Sequence, residues 1–130
     1  MAPAPRRLIL IAEDHEGTRE SLAEIMKTEG HLVLEAQDGQ AALGVLSASP
    51  VDVLILDLSM PRVDGIELLG NIDPTPPVVV IYSAFAYYTP DEVRSQVGSK
   101  VFRALHKPIA PARLVSAVTD AIKELDRYNE

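Results

Sequence analysis

The chain has 130 residues, of which 47% are hydrophobic and 24% are charged, a composition that favours a single globular domain over a disordered segment. With 19 acidic against 12 basic residues, the net charge is −7, which argues against direct nucleic-acid binding because affinity for phosphate backbones comes from clustered cations. The sequence has no cysteine, which excludes disulfides, thiol nucleophiles and thiolate metal sites.

Five short apolar segments rich in branched residues predict β-strands. Continuous apolar runs of this kind favour a parallel sheet covered on both faces over an alternating antiparallel sheet. The second segment is the most mixed, as in an edge strand. The predicted strands are Leu8–Ala12, Leu32–Ala36, Val51–Leu56, Val78–Tyr82 and Val101–Leu105.

Helical patterns lie between and after these strands. Regular alternation of strand and helix predicts an α/β fold with one five-stranded parallel sheet and right-handed crossovers, in (βα)5 order. The helices are predicted over His15–Glu29 with a stop at Gly30, after Asp38-Gly39 as far as Pro50, after Asp64, from Thr89 or Pro90, and from Pro111.

The boundaries predict one domain over residues 7–126, a flexible N-terminal segment over 1–6 and a C-terminal tail over 127–130. No apolar stretch approaches the roughly 20 residues that span a bilayer. The apolar run after the N-terminal MAPAPRR is also too short for a secretory signal. We therefore expect a cytoplasmic protein without a membrane partner.

Polar side chains follow four of the predicted strands. Glu13 and Asp14 follow the first, Asp57 the third, Ser83 the fourth and Lys107 the fifth. In open α/β sheets, ligands bind outside the carboxyl ends of the strands. Since the carboxyl ends of parallel strands share one edge, these side chains predict a site there.

The chemistry of these groups favours a divalent cation. Two carboxylates about 5 Å apart repel each other by roughly 3 kcal/mol at an effective dielectric near 20. Lys107 relieves part of that repulsion and a cation relieves more. An all-oxygen site without His or Cys suits Mg²⁺, and a carboxylate beside Mg²⁺, a lysine and a hydroxyl is a suitable phosphoryl acceptor.

With these residues, the chain resembles the receiver domain of two-component response regulators over essentially its whole length. The motifs that carry the resemblance are Glu13-Asp14, Asp57-Leu58-Ser59-Met60-Pro61-Arg62-Val63-Asp64-Gly65, Ser83-Ala84 and Lys107-Pro108. The resemblance implies a flavodoxin-like three-layer sandwich with strand order 2-1-3-4-5.

The resemblance also implies roles for the residues at the strand ends. Asp57 is expected to be the phosphoacceptor. Mg²⁺ is expected to be held by Glu13, Asp14, Asp57 and the backbone carbonyl of Ser59.

Two further residues complete the implied site. Lys107 is expected to pair with the phosphoryl oxygens. The peptide bond between this lysine and the following proline, here Lys107–Pro108, is usually cis in the family. Ser83 is expected to move and hydrogen-bond one of those oxygens. The implied partners are a histidine kinase or phosphotransfer protein, and a downstream protein target or attached output module.

The sequence departs from the family at the aromatic residue that accompanies this movement in many receivers. Ala104 stands three residues before the lysine, where a Tyr or Phe is usual, and Lys100-Val101 replaces the usual Gly-Ala. The aromatic part of the switch is therefore absent or relocated. Phe102 shares the side of Ala104 but is better explained as core, and Tyr82, Tyr87 and Tyr88 are alternative substitutes.

Three other interpretations remain. The first is a protein-interaction module that keeps the receiver fold without phosphorylation. The second is an aspartyl-phosphate phosphohydrolase, although Ser59 stands where those enzymes typically carry an acid. The third, a flavin-binding flavodoxin, is disfavoured because the acidic loop after the first strand would repel a phosphate. His15, His31 and His106 lack metal-ligand spacing, and only His15, beside the acid pair, is a candidate for tuning metal binding.

Overall fold

The computed structural model describes residues 7–57, 78–82 and 101–128. Among these residues, strands and helices alternate in chain order as far as the third strand, and two further strands and a helix are described after it. The elements are β1 (Leu8–Ala12), α1 (Glu16–Thr28), β2 (Leu32–Ala36), α2 (Gly39–Ala48), β3 (Val53–Asp57), β4 (Val78–Tyr82), β5 (Val101–His106) and α3 (Pro111–Tyr128). The helices predicted after Asp64 and from Thr89 or Pro90 lie outside the described residues.

The described strands form one parallel sheet in the order β2-β1-β3-β4-β5. β1 pairs with β2 from Leu8 opposite Leu32, and with β3 from Ile9 opposite Val53. β2 is at the edge, as its mixed composition indicated. The predicted α/β architecture with a parallel sheet and flanking helices is confirmed.

The strand bounds match the prediction for β1, β2 and β4 and differ for the other two. β3 begins at Val53 rather than Val51 and includes Asp57. Asp52 explains the later start, because its Oδ2 accepts from the Leu8 amide at 2.8 Å and its own amide donates to the Leu8 carbonyl at 2.8 Å. β5 continues one residue further than predicted, to His106.

The helix ends have local causes in the sequence. His15 Nδ1 accepts from the Thr18 amide at the start of α1, and Gly30 adopts a φ of 92° just past its end, a conformation that favours glycine. Asp38 Oδ1 accepts from the Ala41 amide at the start of α2. Pro111 begins α3, where its missing N–H costs nothing. α3 continues to Tyr128, into the predicted tail.

The core lies on both faces of the sheet. On one face, α1 and α3 pack over alternate residues of β1 and β3, in a cluster that includes Ile9, Ile55, Met26, Leu114 and Ala117. The intervening strand residues, among them Leu10, Leu54 and Leu56, are also fully buried and by alternation point to the opposite face. None of the described helices is both long and apolar enough to cross a bilayer.

Leu114 of α3 tests the packing of this core, because its side chain is fully buried in the cluster. Replacing Leu114 with Ala is expected to lower the free energy of unfolding by about 2–5 kcal/mol, through lost burial and the cavity left behind. The same change at Leu32, which is 53% exposed, is expected to cost about 1 kcal/mol or less. Urea denaturation of both variants checks this, and equal losses would contradict the assigned core.

Candidate functional site

Three carboxyl groups meet at the carboxyl edge of the sheet. Glu13 and Asp14 follow β1, Asp57 is the last residue of β3, and one carboxylate oxygen from each lies within 4.8 Å of the others. Glu13 and Asp57 are buried, whereas Asp14 is exposed. The structure thus brings together the three acids that the sequence predicted for a metal site.

The ammonium group of Lys107 lies against this cluster. Its Nζ is 2.5 Å from Glu13 Oε1 and 3.6 Å from Asp57 Oδ2. Lys107 follows β5 directly, and its peptide bond to Pro108 is cis, as the resemblance implied. The sequence predicted that Lys107 relieves the acid repulsion. Glu13, rather than Asp57, is its nearer partner.

Burial of these charges shifts their proton affinities. Burial is the largest cause that raises the pKa of Glu13 from its ordinary 4.5 to about 8; the hydrogen bond to Asp57 adds to the rise and Lys107 opposes it. Burial alone would lower the pKa of Lys107, but the hydrogen bond to Glu13 and the charge of Asp57 outweigh it, so that this pKa is raised. Such perturbation in a cluster of charged groups is typical of functional sites.

The backbone of Glu13 is held from two sides. Its amide donates to the Ala36 carbonyl of β2 at 3.1 Å, and its carbonyl accepts from Arg19 of α1 at 3.0 Å. Arg19 was missed by the sequence analysis. The available signal was an arginine five residues after the acid pair, near the start of an amphipathic helix, but the pattern does not say where its side chain reaches.

The donor set of the cluster fits a hard divalent cation. The three converging side chains offer only carboxylate oxygens, which Mg²⁺ prefers over nitrogen or sulfur ligands. Their combined charge exceeds that of Lys107, the ammonium beside them. A cation with two charges therefore suits this site better than an anion.

Other candidate residues have different outcomes. Ser59 and Ser83 lie outside the described residues, as do Tyr87 and Tyr88. Ala104 is half-buried in β5 opposite Val80 of β4. Phe102 packs against the core cluster, in agreement with its interpretation as a core residue.

His15 has a structural role at this edge of the sheet. Its ring Nδ1 accepts from the Thr18 amide and lies 2.9 Å from the Thr18 hydroxyl. The imidazole thus caps α1 directly after the acid pair. Whether it tunes metal binding stays a prediction.

The sequence model of the response regulator receiver domain matches residues 9–119. This chain therefore belongs to the response regulator receiver domain family, the receiver domains of two-component response regulators. The chain is 36% identical over 112 residues to an uncharacterized response regulatory protein of Vibrio parahaemolyticus, covering 84% of this chain and 45% of that protein.

Another relative is the transcriptional regulatory protein PdtaR of Mycobacterium tuberculosis. It is 36% identical over 124 residues, which cover 93% of this chain and 58% of PdtaR. The chain thus spans about half the length of these two curated relatives. Among solved structures, a signal receiver domain from Vibrio parahaemolyticus is similar in fold, with a TM-score of 0.86, 22% identity and 96% of both chains covered.

The pKa of Glu13 gives the metal-free protein a testable pH dependence. Because this pKa is raised on folding, the carboxyl contributes stability that is full below pH 4.5 and is lost as the pH rises through about 8. We expect the free energy of unfolding in the presence of a chelator to fall between about pH 6 and about pH 9, and to fall less in Glu13→Gln. Denaturant titrations at the two pH values measure this, and equal changes in both proteins would contradict it.

Proposed function

We propose that Asp57 of this receiver domain accepts a phosphoryl group from a histidine kinase or phosphotransfer protein in a Mg²⁺-dependent reaction, and that the domain then switches its interaction surface. The observation that carries this proposal is the burial of Asp57 beside Glu13 and Lys107, 3.6 Å from the lysine ammonium. The third acid of the cluster, Asp14, faces solvent. A phosphodonor can approach from that exposed side.

The phosphoryl transfer is a nucleophilic displacement at phosphorus. An Asp57 carboxylate oxygen forms a bond to phosphorus, and the bond from phosphorus to the donor's imidazole nitrogen breaks. Its electron pair stays on the imidazole, and an acyl phosphate forms on Asp57. The Lys107 ammonium offsets charge on the transferred oxygens. Positioning and charge stabilisation supply most of the catalysis in such reactions.

The remaining roles follow the same scheme. Glu13, Asp14 and Asp57, with the backbone carbonyl of Ser59, would hold Mg²⁺, which would neutralise charge on the phosphoryl oxygens. Ser83 would hydrogen-bond one of these oxygens. A phosphoryl group adds about −1.5 to −2 charges and three strong acceptors, enough to reorganise a nearby loop. Because Ala104 has no ring to swing inward, the response across β5 is expected to be modest.

The complete domain is proposed to be a five-stranded (βα)5 sandwich with strand order 2-1-3-4-5, over residues 7–126. It acts in the cytoplasm as a signalling domain rather than a turnover enzyme. Its output is proposed to pass to a protein target or an attached module, and the chain spans only about half the length of the two curated relatives. No direct contact with nucleic acid or membrane is proposed for this domain.

A phosphorylation-independent interaction module is the competing function. The replacement of the usual aromatic by Ala104 favours it. The intact cluster of Glu13, Asp14 and Asp57 beside Lys107 favours the phosphoacceptor, because buried acids without a function would be costly to keep. Mg²⁺ affinity separates the two, since a module that had lost phosphorylation has no need of the metal.

Asp57→Asn tests the proposed phosphoacceptor. Incubation with acetyl phosphate and Mg²⁺ is expected to add one phosphoryl group to the wild type and none to the variant, because the amide cannot act as the nucleophile. Intact-mass spectrometry measures the adduct, and omission of Mg²⁺ should abolish it.

Asp52→Asn is the matched control for this experiment. Asp52 lies just before the opposite end of β3, and its carboxylate accepts a hydrogen bond from the Leu8 amide. The carboxamide oxygen of Asn can accept the same hydrogen bond. This variant should retain the adduct. An adduct on Asp57→Asn, or failure of the wild type with a panel of phosphorylated donors as well as acetyl phosphate, would refute the assignment.

A further inference from the structure

We propose that Arg19 is a positioning residue of the metal site, because it fixes the peptide between Glu13 and Asp14 and thereby the directions of both carboxylates. The proposal rests on the proposed function, which takes these two acids as Mg²⁺ ligands. The contact of Arg19 with this site is to the backbone carbonyl of Glu13 and not to a carboxylate oxygen of the cluster. It acts on the backbone that carries the ligands.

The guanidinium of Arg19 contacts the backbone carbonyl oxygen that lies between the two acidic residues. Arg19 donates at 3.0 Å to the carbonyl oxygen of Glu13. That carbonyl shares a rigid, planar peptide unit with the amide of Asp14, so its direction limits the dihedral angles available to both residues. On the other side of Glu13, the amide donates to the Ala36 carbonyl. Both peptide units flanking Glu13 are thus anchored.

With its backbone held by these two hydrogen bonds, Glu13 points its side chain toward the other carboxylates and Lys107. Its Oε1 lies 2.5 Å from Lys107 Nζ, and its carboxyl oxygens lie close to those of Asp14 and Asp57. A rotation of the peptide after Glu13 would swing Asp14 away from Asp57. With the Arg19 bond removed, that rotation would be opposed less, by the metal, by Lys107 and by the His15 amide, which donates to Glu13 Oε2 at 3.5 Å.

Arg19 is itself held in place. Its Nε donates to Glu35 Oε1 of β2 at 3.3 Å, its backbone amide donates to the His15 carbonyl, and only 15% of its side chain is exposed. The planar fork of a guanidinium can serve two acceptors in fixed directions. Arg19 therefore connects the start of α1 and the edge strand to the loop that carries the acids.

A purely structural explanation is that Arg19 only links α1 to β2 through Glu35. The two roles can be separated because they use different nitrogens: Nε contacts Glu35, whereas Nη1 contacts the Glu13 carbonyl. Outer partners that orient metal ligands typically change metal affinity by 10–100-fold when removed. Loss of the partly exposed ion pair alone should have little effect on affinity.

The test compares Mg²⁺ binding to wild type, Arg19→Met, Arg19→Lys and Glu35→Met by isothermal titration calorimetry at one pH and salt concentration. We expect Arg19→Met to bind Mg²⁺ about 10–100-fold more weakly and Glu35→Met, which removes the acceptor of the Arg19 Nε bond, to stay within about threefold of wild type. Arg19→Lys keeps an N–H donor and is expected to recover part of the loss. At saturating Mg²⁺, phosphorylation of Arg19→Met by acetyl phosphate should approach the wild-type rate.

Each outcome decides the proposal. If wild type binds Mg²⁺ and Arg19→Met binds it equally well, the role of Arg19 is refuted and the proposed function stands. Equal losses in Arg19→Met and Glu35→Met would assign the effect to the link between α1 and β2 and would also refute it. If the wild type does not bind Mg²⁺, both proposals fail. Should Arg19→Met not fold by circular dichroism, Arg19→Ala, which also lacks a side-chain donor, takes its place, and wild-type affinity in that variant would refute the proposal.

Discussion

Two carboxyl groups buried beside one ammonium are the constraint around which this protein is built. Glu13 and Asp57 lie at the ends of neighbouring central strands with almost no solvent exposure, and Lys107 contacts both. Among the described residues, the single charge of Lys107 faces both carboxyl groups, and burial of unbalanced charge is costly. The protein meets this cost partly by raising the pKa of Glu13, and the site attracts further positive charge.

The sheet explains how these groups come together. β1 and β3 are paired so that Ala12 lies opposite Leu56, which brings Glu13 and Asp57 next to each other just past the last pair. Asp57 pairs in turn with Ile81, and Ile81 with Leu105, so that Lys107 follows two residues beyond. The apolar residues of β1 and β3 in this register are fully buried. A one-residue slip would turn each of these side chains to the opposite face of the sheet and away from its packing partners, so the packing of the core also maintains the site.

The sequence was sufficient to predict most of this arrangement, and particular residues show why. Apolar runs such as Leu8–Ala12 predict buried strands, and parallel strands bring the residues after them to one edge. Asp52 shows what local patterns miss, because its contacts with Leu8, 44 positions away in the sequence, set the start of β3. Arg19 shows the same limit, since nothing in an amphipathic helix indicates that its side chain reaches the Glu13 carbonyl. Such contacts depend on how elements pack.

The phosphoryl group proposed to form on Asp57 can be located directly. Borohydride reduction of the phosphorylated protein converts an aspartyl phosphate to homoserine, and tandem mass spectrometry then locates that residue. Homoserine is expected at position 57 and at no other aspartate. Homoserine at position 14, or a stable phosphate on a serine or histidine, would contradict the proposal.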